Sequence, residues 1–168
     1  MTTPLELSDG GLYERIQIDR GEQPETAPDD ATLALWAEAA LADWVRPVPI
    51  DERLACVSLR VVGVDESQAL NNEWRGHNRP TNVLSFPADV AGFLGDVVLC
   101  APVIEREAIE QGKPPRAHWA HLVVHGVLHL RGHDHDTPDS AARMERKEIM
   151  ILAQLGFSDP YEVEWIDE

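Results

Sequence analysis

Residues 116–135 read RAHWAHLVVHGVLHLRGHDH, and this stretch decides how the whole chain is read. Six of the seven histidines fall between His118 and His135, a clustering that random scatter does not produce. A helix is expected from about Arg116 to Arg131, ended by Gly132. On a helix, residues four apart share a face, so His125 and His129 present two imidazoles to one point. Gly132 permits the left-handed backbone that turns the chain back, which places His135 as a third donor. The spacing His-x3-His-x5-His suits a zinc-type site that does chemistry, with three protein ligands and an open fourth position. A lone helical histidine is more often a surface or satisfied core residue. The pair, the glycine and the third histidine together reverse that reading.

The other histidines have plainer roles. His121, one turn before His125, shares its face, but a helix does not easily aim three successive turns at one ion. It is read as packing or as support behind a ligand, and His118 stands further from ligand duty again. His133 is the alternative to His135, and Asp134 or Asp136 is the candidate carboxylate for orienting a ligating imidazole. Between the paired histidines, zinc peptidases of the His-Glu-x-x-His kind carry the glutamate that serves as general base. Here that slot is Gly126, which cannot take a proton, so a peptidase of that kind is disfavoured. Hydrolysis itself survives, because an ion can lower the pKa of its bound water to about 7.

Outward from the histidines, the chain alternates strand and helix. Residues 20–30 form a surface loop, and Asp29 or Asp30 caps a helix with Leu33, Trp36, Ala37, Ala40, Leu41 and Trp44 on one face. Pro47 and Pro49 end it. Residues 54–62 form a strand with Val57, Leu59 and Val61 on one side. Asp65 and Gln68 resemble a capping box for a short helix bearing Leu70 and Trp74. Strands at 82–86 and 96–100 follow, joined by the turn-like PADVAGFLG. Pro102 and Gly112 bracket a helix, and Thr137-Pro138-Asp139 starts a last one through Leu155, closed by Gly156. This order argues for an α+β fold, a small mixed sheet packed against helices with the metal site in the C-terminal half, and for one domain over 1–168.

Composition restricts the function classes. The formal charge of −16 opposes nucleic-acid binding at first sight. Its distribution weakens the objection: residues 1–52 carry 12 acidic and 3 basic side chains, whereas 53–158 carry 13 and 11. A locally positive cleft is therefore permitted. Cys56 and Cys100 lie far apart in apolar stretches without CxxC spacing, and read as buried reduced thiols. With no secretory pattern at the start and no apolar run of about 20 residues, the expected location is the cytoplasm, away from any membrane.

Three ordered blocks carry a family resemblance. The first is His125-Gly-Val-Leu-His129-Leu-Arg-Gly-His-Asp-His135. The second is Leu70-Asn-Asn-Glu-Trp-Arg75-Gly-His-Asn-Arg79-Pro-Thr81-Asn82-Val-Leu-Ser85-Phe86-Pro87, and the third Leu94-Gly95-Asp96-Val-Val-Leu. Together they resemble the bacterial YbeY family of endoribonucleases and rRNA maturation factors. His133 is a departure, standing where many relatives carry an aromatic residue, and the first 50 residues match only in layout. The resemblance implies a zincin-like α+β fold and a single-strand-specific, metal-dependent endoribonuclease. It would act in 16S rRNA 3′-end maturation and ribosome quality control, with the small ribosomal subunit and its assembly factors as partners.

The resemblance also assigns roles. One divalent ion, zinc first and nickel second, would sit on His125, His129 and His135. Arg75 falls on the family's important arginine, which suits a guanidinium that grips two phosphate oxygens during P–O cleavage. With His125 it is the catalytic candidate. Arg75, Arg79, Thr81, Asn82 and Ser85 are the substrate-binding candidates, with His77 adding local positive charge. Trp74 is read as core or as a base-stacking surface, and Asp96 as a group behind the ligands. Two other classes compete: a metallohydrolase of another substrate, peptides included, and a non-catalytic ribosome-assembly factor with a structural metal. Structural zinc usually takes four protein ligands, often cysteines, and only three histidines are well placed here.

Overall fold

The computed structural model describes residues 15–21, 26–42 and 56–162. Its elements are β1 (Ile16–Arg20), α1 (Asp30–Ala42), β2 (Cys56–Val62), α2 (Val64–Arg75), β3 (Val83–Val90), β4 (Phe93–Cys100), α3 (Ala101–Gln111), α4 (Pro115–Leu130) and α5 (Pro138–Gln154). The four strands form one mixed sheet in the order β1-β2-β4-β3. β1 and β4 run parallel to β2, and β3 pairs antiparallel with β4 at the sheet's edge. The class is α+β with a small mixed sheet, as the order of elements argued.

Side-chain alternation divides the sheet into two faces. Val57, Leu59 and Val61 of β2 and Val97 and Leu99 of β4 are fully buried on the face that carries α1 and α4. Val62, Leu84, Val98 and Cys100 point the other way, into a smaller cluster with Val103 and Leu70 of α2. The expected apolar face of α1 is buried at Leu33, Trp36, Ala37, Ala40 and Leu41, and Asp29 caps it by accepting the Thr32 amide at 2.8 Å. Trp44, Pro47 and Pro49 lie outside the described residues.

Two local expectations need correction. α2 has no capping box: its N-cap is Gly63, and Gln68 instead donates to the Asn78 side chain at 3.0 Å. The reason is a tertiary claim on the Gln68 amide by the loop after the helix. The segment PADVAGFLG is mostly strand, since β3 continues through Val90 and β4 starts at Phe93, leaving Ala91 and Gly92 as the turn. Pro87 is tolerated because β3 is an edge strand with no ladder partner on its outer side among the described residues. The last helix starts at Pro138 under a capping box made by Thr137 and Ser140.

α4 sits at the centre. Eleven of its sixteen residues are buried, because the sheet, α1, α3 and α5 surround it. It approaches the sheet tightly at Gly126, where an added Cβ would lie 2.5 Å from Val97 Cγ1 and 3.4 Å from Ser85 Oγ. Gly126 is thus a packing residue pressed against β4, and a glutamate in that slot would face the sheet.

Gly126→Ala should therefore destabilise the protein by about 1–3 kcal/mol through overpacking. Helix propensity alone predicts the opposite, a gain of about 1 kcal/mol. Urea unfolding decides between them. In a Val97→Ala background the cost of Gly126→Ala should shrink, and an unchanged cost would refute the contact.

Candidate metal centre

α4 and the turn after it bring three imidazoles to one point. His125 and His129 lie one turn apart on the helix, with ring centroids 4.7 Å apart. Leu130 ends the helix, Gly132 takes φ 97°, and the chain doubles back to His135. His135 Nε2 then lies 3.3 Å from His125 Nε2 and 3.2 Å from His129 Nε2. The donor atoms of His125, His129 and His135 fall within 4.8 Å of one another. His133 joins no such group among the described residues. Burial, and then the neighbouring His125 and His135, push His129 down to about 4, so its ring is neutral at ordinary pH. A neutral imidazole keeps the lone pair that a cation needs. Three close nitrogen lone pairs repel unless a cation or protons lie between them, so the donor set fits a divalent ion.

The group behind His125 is a fully buried carboxylate that the sequence reading passed over. Glu148 on α5 accepts from His125 Nδ1 at 2.5 Å, from His121 Nε2 at 3.3 Å and from the Tyr161 hydroxyl. Burial by itself raises the Glu148 pKa, but the hydrogen bonds from His121 and His125 outweigh it and hold the carboxyl at about 2. Burial, followed by the bond to Glu148, pushes the Tyr161 phenol up, so it stays protonated and donates. With its proton on Nδ1, His125 is left with a bare Nε2 facing His129 and His135. His121, His125 and Glu148 also form a second close donor group. The His125–Glu148 hydrogen bond accounts for it without an ion.

Glu148 therefore takes the orienting role expected of Asp134 or Asp136. Asp134 accepts the Asp136 amide at 3.1 Å, and its carboxyl is held low by Ser140 and by that amide. The sequence did carry a signal for Glu148. It stands on the apolar stripe of α5 with Met144, Ile151 and Leu152, where a carboxylate needs a reason.

The second block lies along the edge strand. Arg75, in the last turn of α2, is exposed and donates from Nη2 to the Ser85 carbonyl at 2.8 Å. The Ser85 hydroxyl in turn donates to the Gly126 carbonyl at 3.1 Å, one residue from His125. Two hydrogen bonds thus link Arg75 to the helix that carries the imidazoles. Arg79 is exposed in the loop before β3. Thr81 exchanges backbone hydrogen bonds with the Ser67 hydroxyl, which fixes that loop to α2. The Asn82 amide donates to Glu107 at 2.9 Å, and its oxygen accepts the Val83 amide at 2.6 Å. Asn82 is therefore committed to a structural network that also includes His118, whose Nε2 meets the same Glu107 oxygen at 2.9 Å. The Ser85 hydroxyl is committed as well. Asp96 lies opposite Phe86, on the sheet face away from α4, and so stands apart from the imidazoles. A groove of about 940 Å³ opens at the N-terminal end of α4 beside Lys113, Arg116, Phe157 and Tyr161, and it excludes the three converging imidazoles.

Comparison with known proteins gives one answer. Residues 18–156 match the family model described as Endoribonuclease YbeY. A relative named Endoribonuclease YbeY from Methylococcus capsulatus is 52% identical over 80% of this chain and 87% of its own length. One of the same name from Pseudomonas syringae pv. syringae is 47% identical over 87% of this chain and 88% of its own. The solution structure of TM1509 from Thermotoga maritima shares the fold, with a TM-score of 0.54 at 24% identity, covering 88% of this chain and 99% of that one.

The depressed His129 pKa has a consequence for stability. Its folded value of about 4 lies below the ordinary 6.5, so within that window the unfolded chain binds the extra proton. The metal-free protein should lose stability as pH falls from 6.5 to 4, and His129→Asn should flatten that slope. Urea unfolding across the window measures it. Equal slopes in the two proteins would contradict the burial argument.

Proposed function

Because this chain belongs to the endoribonuclease YbeY family, we propose that it is a metal-dependent endoribonuclease acting on single-stranded RNA. The observation that carries this reading is the convergence of His125, His129 and His135 on one point, two hydrogen bonds from an exposed arginine. The reaction needs charge stabilisation at a phosphate, which a held cation and a nearby guanidinium would both supply. His125, His129 and His135 hold the ion, with zinc the first choice and nickel the second. When bound, the ion supplies Lewis acidity and activates water near neutral pH.

The chain's own residues do the rest. Glu148 retains the proton on His125 Nδ1 and fixes the ring's orientation, with Tyr161 and His121 holding the carboxylate in turn. Arg75 offsets the charge that builds on the phosphate oxygens during cleavage, and Arg79 extends the positive surface along the strand. Thr81, Asn82 and Ser85 serve by shaping this edge, since the hydrogen bonds of the Asn82 and Ser85 side chains go to protein partners. Gly126 leaves no carboxylate between the histidines, which favours phosphodiester over peptide hydrolysis. The setting is cytoplasmic 16S rRNA 3′-end maturation and ribosome quality control, with the small subunit and its assembly factors as partners and residues 1–168 as one catalytic domain. No helix among the described residues is long and apolar enough to cross a membrane.

His125→Ala should abolish cleavage of single-stranded RNA, and full activity in a His125/His129 double variant would sink the reading. Arg75→Ala should lower kcat by about 10²–10³ while metal content stays at the wild-type level. Glu148→Gln should weaken metal binding by about 10–100-fold, read by competition with a chromogenic chelator. Retention of wild-type affinity would remove Glu148 from the centre.

A further inference from the structure

Among the described residues two aromatic side chains are exposed, and they differ in kind. Tyr161 spends its hydroxyl on Glu148. Trp74 is 60% exposed at the end of α2, although the helix could have carried any polar residue there. The indole and the Phe86 ring of β3 meet edge-to-face, with centroids 6.1 Å apart and planes at 65°. The Arg75 guanidinium covers Phe86 at 5.0 Å from the ring centroid. Phe86 thus contacts both the cation and the indole, while most of the Trp74 surface stays in solvent.

Charge singles out the same place. Residues 74–88 contain Arg75, His77 and Arg79 and no acidic side chain, in a chain with 30 acidic residues and a net charge of −16. Glu73 and Asp89 border this window in the chain, and Asp96 of β4 pairs with Phe86. Arg75 also caps the outer edge of β3 at Ser85 and connects through the Ser85 hydroxyl to Gly126. An open indole, a cation and a path to the imidazole centre thus share one strand edge.

We infer that Trp74, braced by Phe86 and Arg75, is a base-stacking subsite for an unpaired nucleotide of the RNA strand. This rests on the nuclease reading and extends it to a residue with no part in the chemistry. A stacking contact requires an unstacked base, so Trp74 favours single strands over duplex without reading sequence. Tryptophan offers an aromatic surface for the base, while Arg75 and Arg79, which follow it in the chain, supply positive charge for the phosphates.

The test uses the full-length, metal-free protein, so that binding is read without cleavage, and fluorescence anisotropy with a labelled oligoadenylate. Trp74→Ala should weaken binding about tenfold, and Trp74→Phe should restore most of it. An abasic oligomer of the same length should bind wild type and Trp74→Ala alike. The salt dependence of binding should stay unchanged in Trp74→Ala, because no phosphate contact is lost. Thermal unfolding of the variants should match wild type, since the side chain is largely solvent-exposed. Equal oligoadenylate affinity in Trp74→Ala and wild type overturns the subsite while leaving the nuclease reading intact. Failure of wild type to bind or cleave any single-stranded RNA overturns both.

Discussion

The contact between α4 and β4 at Gly126 is the constraint on which the rest of the molecule depends. A helix that must aim two imidazoles outward at one point has to be held rigidly from behind. Here the backbone of α4 presses so close to the sheet that Val97 leaves no room for a side chain. The Ser85 hydroxyl adds a hydrogen bond from the edge strand to the same turn. With α1 and α5 against its other sides, α4 can neither roll nor slide without breaking the close packing of the main cluster. The positions of His125 and His129 follow from that confinement. His135 is added by one glycine in a left-handed conformation.

A second constraint is electrostatic. Glu148 is a carboxylate with no exposure to water, which is costly unless its lone pairs are satisfied. His121, His125 and Tyr161 satisfy it from three directions, two from α4 and one from the segment after α5. The arrangement turns an expensive group into a tool. A buried anion fixes the tautomer of His125, and the same hydrogen bonds dock α5 and the following segment onto the central helix. Local stability and the geometry of the centre are in this way one network.

The edge strand makes the opposite use of exposure. β3 has no neighbour beyond it among the described residues, and its outer carbonyl at Ser85 is taken by Arg75. An exposed edge invites pairing with other chains, and a charged side chain laid over it discourages that. The same guanidinium is the one that the proposed function assigns to phosphate. Asn82, another substrate-binding candidate from the sequence, is instead committed to the network of Glu107 and His118.

Much was legible before any coordinates. The α+β class follows from the order of periodic segments, and the trio of His125, His129 and His135 from a helical repeat of four and a terminal glycine. The class and the convergence of the three rings hold because the physics is local: a turn of helix fixes what lies four residues away. Tertiary structure alone decided which carboxylate supports His125. Asp134 and Asp136 were near in sequence, but Glu148 arrives from a different helix, packed across α4. It also decided that Gly126 is a matter of packing as much as of missing chemistry, and that Gln68 serves Asn78 instead of a helix cap. In each case the deciding partner lies across a fold contact, and periodicity can mark a residue as buried, as it does Glu148, without saying which partner it meets.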